Sequence, residues 1–171
     1  MGSIVLIAAG IFLILSDLGL MGAAGNAVVT VQKGLVGTAY PLIGLFIGAA
    51  AAIAYMERGR YLMKFKVAGL TAAFLAIVSI VQLLFGERGA GAYSAGELYR
   101  LGAGGALGGG AIGGVISGSF ESVIGYVGSY FVLIVIVIIA VVIITEKSFV
   151  NAARIGAEKT ADAFRTGAEK T

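Results

Sequence analysis

Two carboxylates border the apolar runs of this chain: Asp17 near the far end of the first and Glu121 just ahead of the last. A carboxylate at membrane depth is costly to desolvate, so by default it marks an ion or proton path. Only a few apolar residues follow Asp17, which reads instead as interfacial, facing water beside Gly19. Glu121 reads as a cap on the last apolar helix, at the positive end of its dipole; the sharper alternative is a ring of such acids around an oligomer's outer mouth. With Tyr126 the two acids form no constellation that spacing supports as catalytic. Gln82, inside a third run, reads as a helix–helix hydrogen bond.

Much other chemistry is excluded outright. The chain has no Cys, His or Trp, so disulfides, Cys/His metal sites and imidazole catalysis are ruled out. Gly108, Gly110 and Gly113 satisfy G-x-G-x-x-G, but no strand precedes them and no acid follows about 20 positions on, as a dinucleotide site requires. No catalytic, cofactor-binding or metal residue is assigned.

Those glycines belong to "LGAGGALGGGAIGGVISGSF", residues 101–120, which holds nine glycines and no charge before Ser119. On a helix, Gly105, Gly109 and Gly113 fall four apart, as do Gly110, Gly114 and Gly118, giving two smooth rows for close approach of neighbouring helices or subunits. A broken backbone at membrane depth survives only when buried in protein or lining a wet cavity. The segment is therefore either close-packed or re-entrant. As a fifth full span it would move the tail outside, against Lys147 and Arg154 close to the last run.

The elements that must carry these residues are apolar helices. The chain is 59% apolar and 12% charged, with a mean hydropathy of +1.02, which places it among integral membrane proteins. A span takes roughly 20 apolar residues, and stretches at about 4–21, 37–56, 67–85 and 122–145 qualify. The expected class is all-α with four transmembrane helices. The first lacks the basic leader of a signal peptide, and Pro41 suits the first turn of the second.

"ERGRYLMKFK", residues 57–66, sets Arg58, Arg60, Lys64 and Lys66 against Glu57 alone. That excess in a short loop is a cytoplasmic signal, placing both termini inside. These cations suit anionic lipid headgroups, each worth about 1 kcal/mol; DNA phosphates are the other possible partner, but topology alone accounts for the cluster. The charge-balanced stretches 22–37 and 86–100 read as helices or loops on the outer surface. The tail, 146–171, reads as a cytoplasmic helical linker. "RIGAEKT" at 154–160 returns as "RTGAEKT" at 165–171, so Arg154 can pair with Glu158 and Arg165 with Glu169. Phe149, Ala153, Ala157, Ala161, Phe164 and Ala168 make a weak stripe that could seed association, while Gly156 and Gly167 argue against a rigid rod.

The order of these segments resembles the N-terminal membrane domain of the FtsK/SpoIIIE DNA translocase family. "VGTAYPLIGLFIG", 36–48, sets Gly37 and Pro41 in the family's Gly…Pro positions, and "GGALGGGAIGGVI", 104–116, is similar to its glycine stretch before the fourth span. The resemblance implies a septal anchor in the bacterial cytoplasmic membrane. It further implies a homo-oligomer of about six copies around a DNA duplex, contacts with other division proteins, and a downstream motor that uses ATP and Mg to move double-stranded DNA in chromosome partition. These 171 residues contain no G-x-x-x-x-G-K-[ST], so they cannot cradle ATP phosphates as a P-loop motor does. The alternative is a small channel or transporter with the glycine segment and Glu121 on its path, although the two halves share no matching interruption.

Overall fold

The computed structural model describes residues 2–56, 62–86 and 92–168, with side chains described over 5–55, 64–86 and 92–145. Six helices follow in order: α1 Gly2–Asp17, α2 Gly22–Val36, α3 Pro41–Met56, α4 Leu62–Phe85, α5 Ala95–Ala103 and α6 Gly110–Ala168, with a 3-10 turn at Gly37–Ala39. Among the described residues there is no strand. Two helical stretches among the described residues are long and apolar enough to cross a membrane, Lys64–Phe85 and Gly110–Thr145; a third exists if α1 and α2, bent by 98°, count as one. α1 and α3 have 16 residues each and cover about 24 Å, short of about 30 Å of hydrocarbon.

Local chemistry sets the helix ends. α1 stops at Asp17, where Gly19 turns to a φ of 73° and the N–H groups of Gly19 and Leu20 donate back to the carbonyls of Ser16 and Leu15 at 3.0 and 3.1 Å. Pro41 opens α3, where its missing N–H costs nothing. α5 begins with a capping box: the Ser94 hydroxyl accepts from the Glu97 N–H at 3.3 Å, and a Glu97 carboxylate oxygen accepts from the Ser94 N–H at 2.8 Å.

Packing runs antiparallel. A Cβ on Gly10 would lie 3.4 Å from the Gly48 nitrogen and 3.6 Å from the Gly44 carbonyl oxygen, so α1 and α3 approach almost backbone to backbone. Phe46 stacks on Phe74 at 4.7 Å, joining α3 to α4.

α6 has two arms, because Gly125 (φ 72°, ψ 172°) is non-helical within it. The second arm descends α4: Tyr126 meets Leu83, Leu133 shares a buried cluster with Ala76 and Leu83, and Ile143 reaches Gly69. The first arm starts at the same end of α4, with Gly109 and Gly113 against Val78. As one straight helix, 110–145 would be about 54 Å long; the break instead folds its first 15 residues, 110–124, against the end of α4.

The last apolar helix therefore begins at Gly110, not at 122, and Glu121 lies inside it and caps no N-terminus. The backbone of α6 stays helical to Ala168, through Gly156 and Gly167.

Candidate functional site

The glycine-rich connections meet at the C-terminal end of α4, in a clasp that joins α2, the 3-10 turn, α5 and the start of α6. Its centre is Gln82, 6% exposed, whose Oε1 accepts from the Gly109 N–H at 2.7 Å. One residue earlier, the Gly108 carbonyl accepts from both the Thr38 N–H at 2.8 Å and the Thr38 hydroxyl at 3.0 Å. Gln82 thus ties a helix to a glycine loop, where the sequence leads one to expect a helix–helix hydrogen bond.

Glycine is required here by space. A Cβ on Gly37, where φ is 60°, would overlap the Gly108 carbonyl oxygen and stand 2.6 Å from the Gly110 nitrogen. On Gly109 it would run into the Val78 carbonyl oxygen, on Gly113 it would stand 2.7 Å from that same oxygen, and on Gly114 it would meet Leu98 Cδ1 at 2.7 Å. Gly110 lies against Gly34, Leu35 and Gly37, and Gly118 is buried. The row of Gly110, Gly114 and Gly118 does share one helix. The row of Gly105, Gly109 and Gly113 does not, because residues 104–109 form a loop. Gly105 (φ 90°) is exposed with no atom within 4 Å of a Cβ position, so it serves a turn and makes no packing contact.

Two charged side chains border the clasp. The Lys33 ammonium sits 5.1 Å from the centre of the Tyr40 ring, near the C-terminal ends of α2 and α5, where helix dipoles favour a cation. Glu97 is held below the ordinary carboxylate range, first by the Ser94 N–H and then by the Ser94 hydroxyl. A cavity of about 40 Å³ bordered by Gln82, Leu98, Leu101 and Gly110 has room for a water or two. Among the described residues no group of three acids could hold a metal ion. Ser94 Oγ also donates to Glu97 Oε2 at 2.8 Å, a hydroxyl–carboxylate pair engaged in the cap of α5.

Glu121 is half-buried on the first arm of α6, and Asp17 is half-buried at the end of α1. Lys64, exposed, and Lys66 stand at the opposite end of α4 from the clasp, and Arg58 and Arg60 lie outside the described residues.

Several residues that matter here carried no weight in the sequence reading. Gly44 and Gly48 form a small-xxx-small pair, and Ser94 with Glu97 spells S-x-x-E; both signals were present in the sequence. Gln32 had none: it is 4% exposed, and neither amide atom has a hydrogen-bond partner. The Tyr126 hydroxyl donates to the Leu83 carbonyl at 2.8 Å, occupying an acceptor near the end of α4. Comparison with family models, with curated proteins and with solved structures finds no match for this chain.

Proposed function

We propose that these 171 residues are the membrane anchoring and oligomer-assembly domain of a septal DNA translocase, whose motor lies outside them. On this reading α1, α3, α4 and the second arm of α6 are four spans, both termini are cytoplasmic, and the clasp faces outward. The residues 101–120 stay on the outer side, folded over the end of α4. The domain assembles with copies of itself, about six around a duplex, among membrane lipid and other division proteins, and it binds no cofactor. ATP, Mg and DNA belong to the motor.

The observation that carries the reading is the separation of ends. Both glycine-rich connections close into one main-chain clasp beside Gln82, while Lys64 and Lys66 stand at the other end of α4, as an inward basic loop requires.

The test is copy number and flux together. Cross-linking of the purified chain in lipid nanodiscs should give a ladder ending near six, and liposomes carrying it should hold an ion gradient. Monomers or dimers that dissipate the gradient would overturn the anchor in favour of a small channel or transporter. The unpartnered Gln32 amide and Asp17 Oδ1 favour that second reading, because buried polar atoms in a membrane protein mark permeation paths.

A further inference from the structure

The two arms of α6 are moored in different ways. The first is interlocked at close range: a Cβ on Gly113 would stand 2.7 Å from the Val78 carbonyl oxygen and one on Gly110 2.6 Å from the Gly37 nitrogen, with the Gly109 N–H on the Gln82 side-chain amide just before them. The second is held at a wider spacing, by the Tyr126 hydroxyl on the Leu83 carbonyl, by Leu133 among Ala76 and Leu83, and at Gly69, whose Cβ position would lie 3.2 Å from Ile143 Cγ2 and 3.5 Å from the Ala140 carbonyl oxygen. Contacts at ordinary van der Waals spacing can slide by changing rotamer, as in shear motions, whereas a backbone interlock cannot.

Between them stands Gly125, at φ 72° and ψ 172°, a conformation essentially reserved for glycine. It is exposed, and apart from its own helix nothing lies within 4 Å of where a Cβ would be, so no neighbouring helix abuts the break itself. The Gly125 carbonyl accepts from the fully buried Ser129 hydroxyl at 2.8 Å, which leaves no orphaned acceptor there.

We propose that Gly125 is a swivel that lets the second arm of α6, with the helix that continues from it to Ala168, change tilt against α4 while the first arm stays locked in the clasp. Movement of the tail is then absorbed at Gly125 and does not reach the outer clasp. The inference holds for an anchor and for a channel alike, so it does not depend on which reading of function is right.

The test uses spin labels on the full chain in nanodiscs, diluted with unlabelled chain. One pair, Ser119 and Ile134, brackets the break; the other, Val127 and Val142, lies within the second arm, and all four positions are exposed. Both pairs are 15 residues apart, about 22 Å along a straight helix. The bracketing pair should give a shorter mean and a distribution at least twofold broader than the pair within the arm. Gly125→Ala should narrow it to the width of that pair. A cysteine pair replacing Ala76 and Leu133, cross-linked in the parent and the variant, checks that the second arm stays packed. A bracketing pair as narrow as the pair within the arm means a fixed bend and overturns the swivel; a mean near 22 Å means no bend at all. If Gly125→Ala fails to fold, the two wild-type distributions decide alone.

Discussion

Gly113→Ala pits two effects of opposite sign against each other. Within a helix, alanine is favoured over glycine by about 0.5–1 kcal/mol, because glycine gives up more backbone freedom on folding. Against this, the new methyl would stand 2.7 Å from the Val78 carbonyl oxygen, 3.0 Å from Val78 Cγ1 and 3.1 Å from the Val78 carbonyl carbon. Two of those three atoms are main chain and cannot turn away, so α4 itself must retreat by several tenths of an ångström. Overpacking of this kind costs about 1–3 kcal/mol, and an unyielding backbone places it in the upper half of that range. The net is a loss of about 1–2 kcal/mol, roughly a fivefold to thirtyfold fall in the folding equilibrium. Gly48→Ala is the matched reference: it lies inside α3, with no atom within 4 Å of its Cβ position, and it should keep the gain of about 0.5–1 kcal/mol. Steric trapping of the two variants in bicelles measures both. If they shift stability in the same direction, or if Gly113→Ala is neutral, the close approach of α6 to α4 is not what holds the clasp.

Gln82→Leu leaves the buried Gly109 N–H without an acceptor and should cost about 1–3 kcal/mol in the same assay; a loss below about 0.5 kcal/mol would mean water takes over the bond. Ser94→Ala removes the capping box and should lower the stability of α5 by about 1 kcal/mol, seen as roughly fivefold faster amide exchange across Glu97–Arg100; unchanged exchange argues that packing of Leu98 alone holds α5. Because the Glu97 carboxyl is depressed by Ser94, its contribution is present above the ordinary carboxylate range and lost as pH falls through its folded value. Its titration followed by NMR should show a midpoint below 4.5, moving up in Ser94→Ala; a midpoint at or above 4.5 contradicts the cap. Tyr126→Phe should cost about 0.5–1.5 kcal/mol through the freed Leu83 carbonyl, and no change in stability would mean that carbonyl finds another donor.

Composition and periodicity carried the helical class and the approximate placement of α3 and α4, because apolar runs closing at Met56 and at Phe85 admit few alternatives. The rest failed for a physical reason. Spacing of four says which glycines align only if the backbone between them is helical, and Gly105 takes a positive φ in a loop, so it left the row in which Gly109 and Gly113 still meet the same Val78 carbonyl. Gly125 looked like any glycine in an apolar run, and its break depends on where α4 ends and on Tyr126 reaching Leu83, a tertiary fact. Glu121 would cap a helix beginning at 122, but α6 already runs from Gly110, a start that the residue types around 121 do not announce. At the clasp, Gln82 and the row of Gly110, Gly114 and Gly118 were legible, whereas Gln32 carried no signal at all.

The clasp meets its partners mostly at main-chain atoms: the Val78 carbonyl at Gly109 and Gly113, the Gly108 carbonyl at Gly37 and the Lys33 carbonyl at Gly102. A carbonyl is the same whatever side chain its residue bears. Tolerance to substitution should therefore be lopsided, with the glycine member of each contact intolerant of nearly every replacement and the opposite member, Gly108 excepted because its own φ is 143°, free to vary among residues of similar size. A saturation library scored for insertion and folding would draw this asymmetry as narrow columns at 37, 102, 109 and 113 beside broad ones at 33 and 78. Homologous clasps would then be found by where glycine cannot be replaced, and pairs of covarying residues would be a poor guide to the same contacts.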